Sequence, residues 1–249
     1  MSTTKDRIIE TSADLFRRQG YSATGVKQIV NAARAPFGSL YHFFPGGKEE
    51  LGAATVRTSG ALYGQLVPAI LDPAPDPVTG VRTFFNAAAD NLEASDYEEG
   101  CPIATVALEV SGTSELMREA CAEVFESWIS LGAERFERAG LDPETARALT
   151  VAMLAALEGA FVLSQATRNT EAMRVAGEVV AQRVERTLAE RAGAAAPEER
   201  FASRPQPIAT GAQAPAPPEG PPTAARVRPR LRARWPDRGA PRSPGPASP

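Results

Sequence analysis

The chain has 249 residues and a formal net charge of −3, and its composition changes abruptly near residue 193. Beyond that point 14 of 56 residues are proline, and large apolar residues are too few to offset the entropy of folding. We therefore predict a disordered Pro/Ala/Arg-rich tail over 194–249 and a folded part of 193 residues, long enough for one or two domains.

Charge is distributed unevenly along the chain. Residues 1–50 carry seven Lys/Arg against five Asp/Glu, residues 51–193 carry 11 against 21, and residues 194–249 carry nine against four. A polyanion should therefore prefer the two ends of the chain and avoid the middle. The surplus of +2 in the first segment is too small to establish nucleic-acid binding by charge alone.

Cysteine content and hydropathy indicate the compartment. Two cysteines, Cys101 and Cys121, in a chain without a signal-peptide core predict a cytoplasmic protein with free thiols. No apolar run approaches the length of about 18 residues that a membrane-spanning helix needs, so no membrane partner is expected. A redox switch between the thiols is the alternative to structural cysteines, but Cys101 has no basic neighbour in sequence.

The spacing of apolar residues predicts three short helices in the first 50 residues. The first covers 4–19 and stops at Gly20, the second carries its apolar stripe over 26–33, and the third begins at Pro36. A tight turn over 33–35 joins the second helix to the third, which gives this segment the dimensions of a helix-turn-helix. Three amphipathic helices also form ordinary bundles, so periodicity alone leaves DNA binding and simple packing both open.

The rest of the folded part also has helical spacing, and no stretch alternates as a β-strand does. The predicted helices cover about 48–70, 76–95, a short segment from 101, 114–139, 142–168 and 170–192. The fold class is therefore all-α, with about nine helices. The last two helices are denser in small and apolar residues than one helix pair needs, which predicts a two-fold four-helix interface with a second copy.

The segment Gly46-Gly47-Lys48 allows three interpretations. It can form the lip of a nucleotide-phosphate loop, contact the phosphates of DNA, or only begin the next helix. A phosphate loop of the G-x-x-x-x-G-K-[ST] type is excluded, because Glu49 follows the lysine and no strand precedes it. A lysine at the start of a helix lies where backbone N–H groups also favour an anion.

The order of residues here carries a more specific signal. The stretch LFRRQGYSATGVKQIVNAARAPFGSLYHFFPGGKEEL, residues 15–51, resembles the N-terminal domain of TetR-family transcriptional regulators. Residues 100–110, GCPIATVALEV, are similar to the LmrA/YxaF branch of that family. The resemblance implies a helix-turn-helix DNA-binding domain at 1–47 and a helical effector-binding and dimerisation domain at 48–193. The tail at 194–249 has no counterpart in it.

The resemblance also implies a function and its partners. We expect a homodimeric, ligand-responsive DNA-binding transcriptional regulator, a repressor that leaves a palindromic double-stranded operator when a small, mostly apolar or aromatic effector binds. The DNA-binding residues carried over from the family are Thr24, Gln28, Pro36, Phe37, Gly38, Ser39, Tyr41, His42 and Lys48. Thr24, Tyr41, His42 and Lys48 would meet the DNA backbone, and the others would face the groove.

Three residues depart from the family pattern. Arg34 stands in place of the turn glycine and is expected to adopt a left-handed backbone conformation at a cost of roughly 1 kcal/mol. Phe37 replaces a Lys or Arg that grips phosphate, and it can instead pack against a thymine methyl group. Phe43 replaces a common histidine. We expect these changes to alter which operator is read rather than to abolish binding.

Candidates for the effector site are aromatic, sulfur-containing and acidic residues of the central helices. Such a stripe is core more often than ligand wall, but in this family the effector cavity is an unfilled part of the core. Glu109 and Glu158 lie in largely apolar helices, where a carboxylate can bind a cationic or hydroxylated ligand or serve a helix end or an interface. The candidates are Phe84, Phe85, Glu109, Met117, Phe125, Trp128, Glu158 and Phe161.

Two other classes of function compete with this interpretation. A small helical enzyme could use Glu109 or Glu158 as a base, but no second titrating partner lies at recognisable spacing. The single histidine, His42, leaves no His-containing metal cluster or catalytic triad, so we expect no catalytic residue, metal or cofactor. A degenerate family member could instead bind a ligand or partner protein without DNA, its N-terminal domain impaired by Arg34 and Phe37.

The tail carries a run of alternating arginines over 226–234. These arginines could add salt-sensitive, non-specific DNA affinity. The alternative, which we favour, is an unselected extension of the chain.

Overall fold

The computed structural model describes residues 3–201 of the chain, with side chains for residues 3–193. Within this part the chain forms ten α-helices and no strand, which confirms the all-α class and agrees with the expected number of about nine. The helices are α1 (Thr4–Gln19), α2 (Val26–Ala32), α3 (Phe37–Phe43), α4 (Gly47–Gly64), α5 (Leu66–Leu71), α6 (Pro77–Ala94), α7 (Pro102–Val110), α8 (Glu115–Arg138), α9 (Pro143–Thr167) and α10 (Glu171–Phe201). α10 extends beyond the predicted start of the tail at residue 194, and residues 202–249 of that tail lie outside the described residues.

Polar side chains cap the starts of four helices, α1, α6, α8 and α9, because the first N–H groups of a helix have no partner within it. The side chains of Asp76, Ser114 and Asp142 each accept a hydrogen bond from a backbone N–H three residues later. Thr3 and Asp6 form a reciprocal capping box at the start of α1. Each such cap stabilises its helix by about 1 kcal/mol, so these boundaries are specified locally.

The first buried cluster joins the three N-terminal helices to the body of the protein. Ile8, Ile29 and Leu40, one each from α1, α2 and α3, are fully buried. The same cluster includes residues of α4, Ile103 of α7 and Met117 of α8. The N-terminal helices therefore share a core with the helices that follow, and the domain boundary predicted at residue 47 crosses this cluster.

A second buried cluster holds the body together. It includes Val81 of α6, Phe136 of α8, Met153 of α9 and Val184 of α10. Because α8 contributes to both clusters, it connects the two ends of the protein. Among the described residues α9 is the one helix long and apolar enough to cross a membrane by length and composition, but it packs against α8 and α10.

α4 and α8 approach each other closely. A Cβ atom on Gly60 of α4 would overlap the methyl groups of Val124 on α8. One turn further along α8, Trp128 donates its indole N–H to the carbonyl oxygen of Gly60 at 2.8 Å. α4 begins directly after the helix-turn-helix segment, so this contact ties that segment to the longest helix of the first cluster.

Candidate nucleic-acid interface and effector cavity

The turn between α2 and α3 fixes the direction of α3. Arg34 has a φ of 50°, which confirms the expected left-handed conformation in place of the family's glycine. The N–H of Ala35 donates to the carbonyl oxygen of Val30 at 2.9 Å, which closes the end of α2. Pro36 then leads into α3 with φ −58° and ψ 142°. A backbone hydrogen bond therefore orders the turn at the position where strain was expected.

α3 has one buried face and one open face. Leu40 is fully buried, and Phe44 just beyond the helix is 2% exposed. On the other side Phe37 and Tyr41, one turn apart, are each 48% exposed, with ring centroids 5.8 Å apart. The remaining residues predicted for this surface also reach solvent: Pro36, Gly38 and His42 are exposed and Ser39 is partly exposed.

Lys48 lies in the first turn of α4, beside the loop that follows α1. Its Nζ is 3.5 Å from the carbonyl oxygen of Ser22 and 4.2 Å from the centre of the Tyr21 ring. Burial lowers the pKa of Lys48, and the negative charge of Glu109 opposes that effect. An ammonium group has three donors, and the Ser22 carbonyl occupies one of them, so others can bind an anion.

Two predicted DNA contacts are placed differently. Thr24 is fully buried, and its hydroxyl donates to the Gly20 carbonyl oxygen at 2.7 Å and accepts from the Gln19 side chain at 3.0 Å. The predicted contact of the Thr24 side chain with DNA is therefore wrong for this conformation. Gln28 is exposed but exchanges two amide hydrogen bonds with Gln19, at 2.9 and 3.2 Å.

A separate cavity of about 350 Å³ lies in the body of the protein. Its volume falls within the range of about 300–1,000 Å³ that is typical of small-molecule sites. The wall is mostly apolar, and includes Tyr63, Leu66, Val67, Ile70, Leu71, Phe84, Trp128, Met153, Leu154, Leu157 and Phe161. Arg17, Asn91, Glu99, Cys101, Thr150 and Glu158 are the polar residues of the lining.

Glu158 and Cys101 are neighbouring polar residues in this wall, and one carboxylate oxygen of Glu158 lacks a hydrogen-bond partner. Oε1 of Glu158 is buried and has no hydrogen-bond partner among the described residues. Burial raises the pKa of Glu158 above its ordinary value, and the neighbouring Cys101 opposes the shift. Burial and the charge of Glu158 raise the pKa of the free Cys101 thiol well above its ordinary value. The thiol is therefore protonated at neutral pH and is a poor nucleophile.

Arg17 connects the cavity to the N-terminal helices. It belongs to α1, yet its side chain lines the cavity and is only 16% exposed. It forms an ion pair with Glu99 in the loop before α7 and a second one with Asp14 at 2.7 Å. A helix of the candidate DNA-binding segment thus forms part of the cavity wall.

Comparison with known proteins agrees with both halves of this architecture. The model of bacterial regulatory proteins of the tetR family matches residues 8–55, and that of the LmrA/YxaF-like C-terminal domain matches residues 77–179. The HTH-type transcriptional regulator YxaF of Bacillus subtilis is 35% identical over 165 residues, which are 66% of this chain and 86% of YxaF. The chain belongs to the TetR family.

Within this family the regulator groups with the LmrA/YxaF branch. LmrA of Bacillus subtilis is 32% identical over 166 residues, which are 67% of this chain and 88% of LmrA. The fold also matches the crystal structure of a TetR regulatory protein from Rhodobacter sphaeroides, with a TM-score of 0.64 and 24% identity over 73% of this chain and 98% of that one. The regulator is therefore a helix-turn-helix transcriptional regulator and not an enzyme.

Half of the predicted effector residues line the cavity of this regulator. Phe84, Trp128, Glu158 and Phe161 do so. The other four do not: Phe85 and Met117 are buried in the two hydrophobic clusters, Phe125 packs on the first cluster, and Glu109 binds the loop after α1. Those four predictions are wrong as cavity contacts, because each side chain lies on a face of its helix that meets another helix or a loop.

Most polar residues that line the cavity were not predicted from the sequence. Arg17 and Glu99 were not predicted, and Cys101 was expected as a structural thiol, with a redox switch as the alternative. Arg17 follows the charged pattern of the exposed face of α1, so nothing local distinguishes it from a solvated residue. The Gly-Cys-Pro sequence at the start of α7 was a usable signal, because it marks a helix start whose cap, Cys101, faces the cavity.

Proposed function

We propose that this TetR-family regulator binds operator DNA with the open face of α3 in the major groove. The observation that carries the proposal is the arrangement of α3, with Leu40 buried and Phe37, Tyr41 and His42 open to solvent. A recognition helix of a helix-turn-helix presents its first residues to base edges and its flanks to phosphates. The open face has this geometry, and the short connection after α3 leads to the cation Lys48 in the first turn of α4.

The contacts divide into two classes. Tyr41, His42 and Lys48 bind phosphates, which positions the protein without reading sequence. Phe37, Gly38 and Ser39 face the bases, together with Pro36, and Phe37 packs on a thymine methyl group. Gln28 joins them only if it releases the two amide hydrogen bonds with Gln19.

The regulator acts as a homodimer through α9 and α10. Both helices carry large apolar side chains at the surface: Val151, Val162, Leu163, Val175 and Val179 are 43–60% exposed. A monomer rarely leaves such a set open, because burying apolar surface is favourable by about 25 cal/mol per Å². A two-fold dimer places two α3 helices in successive major grooves, so we propose a palindromic operator.

The effector occupies the cavity. The mostly apolar wall selects an apolar or aromatic body, and the unpartnered Oε1 of Glu158 selects a ligand that brings one hydrogen-bond donor or cation to it. An operator that overlaps a promoter blocks transcription, so we propose repression. The effector relieves it by favouring a state of the dimer in which the two α3 helices no longer match the groove spacing. Action on DNA also implies a cytoplasmic location.

The experiment is a selection from random double-stranded DNA with the full chain, followed by fluorescence anisotropy on the enriched duplex. The wild type should enrich a palindrome, and Tyr41→Phe should bind it at least 10-fold more weakly, because a hydrogen bond to a charged group contributes about 1.5–3 kcal/mol. Leu62→Phe, on an exposed residue of α4, is the matched control. Failure of the wild type to enrich any duplex, or equal binding by Tyr41→Phe, would reject the proposal.

A further inference from the structure

The carboxylate of Glu109 accepts two hydrogen bonds from the loop that follows α1. It lies in the last turn of α7, and its Oε1 accepts a hydrogen bond from the backbone N–H of Tyr21 at 3.1 Å. Its Oε2 accepts a second hydrogen bond from the N–H of Ser22 at 2.7 Å. Two successive backbone donors of the N-terminal segment are therefore satisfied by one side chain of the body.

The loop is shaped around this carboxylate. Gly20 has a φ of 83°, and a Cβ atom there would overlap Oε1 of Glu109. The carbonyl oxygen of Gly20 accepts from the Thr24 hydroxyl, and that of Ser22 faces Lys48. The turn between α1 and α2 is thus closed by its own Thr24 hydroxyl and is held between Glu109 of α7 and Lys48 of α4.

The chain that carries Glu109 is anchored to α1 at its other end as well. Glu99, just before α7, forms the ion pair with Arg17 of α1, and both residues line the cavity. Cys101 and Pro102, at the start of α7, also line it. Residues 99–110 therefore contact the cavity at one end and the α1–α2 loop at the other.

From this geometry we infer that Glu109 is a positioning residue for DNA binding, the contact through which α7 sets the orientation of α2 and hence of α3. The inference rests on the proposed function, and it identifies Glu109 as a residue that connects the cavity to the recognition helix. Loss of the carboxylate frees the N–H groups of Tyr21 and Ser22, and the loop then samples other orientations. Operator affinity falls because only one orientation fits the groove.

The test compares Glu109→Ala and Glu109→Gln with Glu10→Gln in the full chain. Glu10 is exposed on α1, so its replacement removes the same charge from a surface position of the N-terminal segment. On the duplex enriched by the wild type, Glu109→Ala should bind at least 10-fold more weakly. Glu109→Gln keeps one acceptor oxygen and should recover part of that loss. Glu10→Gln should bind within twofold of the wild type or more tightly, because a negative charge near DNA has gone.

Hydrogen exchange separates positioning from general destabilisation. The amides of Tyr21 and Ser22 should exchange at least 10-fold faster in Glu109→Ala than in the wild type, while those of buried α8 residues stay unchanged. Unchanged exchange of the two amides, or unchanged operator affinity of Glu109→Ala, overturns the inference. If the wild type enriches no duplex, the proposed function fails, and the exchange measurement still decides whether Glu109 holds the loop.

Discussion

Replacing Arg34 by glycine should stabilise the regulator, because the φ of 50° at this residue is costly for any side chain with a Cβ atom. A non-glycine residue in the left-handed region loses roughly 1–2 kcal/mol. Glycine recovers that energy but adds about 0.4–1 kcal/mol of entropy to the unfolded chain. The difference predicts a net gain of about 1 kcal/mol for Arg34→Gly.

The matched control is Arg34→Ala, which removes the same guanidinium but keeps the Cβ atom and the strain. Arg34 is exposed, so loss of its side chain alone should change stability little. Arg168, with a φ of 52° between α9 and α10, offers an independent site far from α3. There the gain is reduced by loss of the exposed ion pair with Asp96, which contributes about 0–1 kcal/mol.

Thermal unfolding at one protein concentration measures these differences. A gain of 1 kcal/mol corresponds to roughly 2–4 °C in Tm for a chain of this size, so Arg34→Gly should unfold about 2–4 °C higher than Arg34→Ala. An Arg34→Gly protein no more stable than Arg34→Ala would refute the claim that the turn is strained.

Three further predictions address DNA binding, the cavity and the dimer. Lys48→Ala should weaken binding to all duplexes alike and reduce the slope of log K against log salt by about 1, measured by anisotropy; an unchanged slope would exclude a phosphate contact. Burial holds the pKa of Glu158 above its ordinary value of 4.5. Ionisation of this carboxylate therefore lowers the free energy of unfolding as pH rises past 4.5. Glu158→Gln should therefore gain urea stability relative to wild type between pH 4 and pH 8, and a constant difference would contradict this cause. Val162→Glu should shift the protein towards monomer in light scattering at micromolar concentration, while Leu62→Glu, equally apolar and exposed on α4, should not.

Local chemistry explains why most helix boundaries were predictable. Asp76 and Asp142 each precede a proline and cap the helix that it begins, and both features are visible in sequence. One missed boundary is that between α4 and α5, which were predicted as one helix. Pro68 has no N–H to donate to the carbonyl oxygen of Gly64, and its ring would clash with that group. The helix ends at Gly64 for this reason, so the proline was a usable signal.

The cavity was only partly predictable, because a stripe of apolar residues does not say what it faces. Val81, Phe85 and Ala89 follow one stripe of α6 and are buried in the second cluster. Phe84 and Ala88 follow the adjacent stripe and line the cavity. To tell which stripe of α6 faces the cavity, one must know where α10 packs, and that is set by the tertiary structure.

An interface role was one of the alternatives for Glu109, but its hydrogen-bond partners could not be predicted, for the same reason. Its partners, the N–H groups of Tyr21 and Ser22, belong to a loop distant in sequence. Almost every residue type has a backbone N–H, so the sequence does not show which of them will bind a carboxylate. Thr24 shows the reverse error, since a residue type suited to phosphate contact is used inside the protein. The open face of α3 was more accessible to prediction, because Leu40 and Phe44 at helical spacing identify its buried side.

We propose that α3 lies along the bases and that two copies of it do so symmetrically. The most direct measurement compares the duplexes that the wild type and Phe37→Arg enrich from the same random pool. With Phe37→Arg, the preferred base should change at one position in each half of the palindrome, from a thymine to a guanine, and the other positions should be retained. Identical enriched sequences for the two proteins would contradict this proposal.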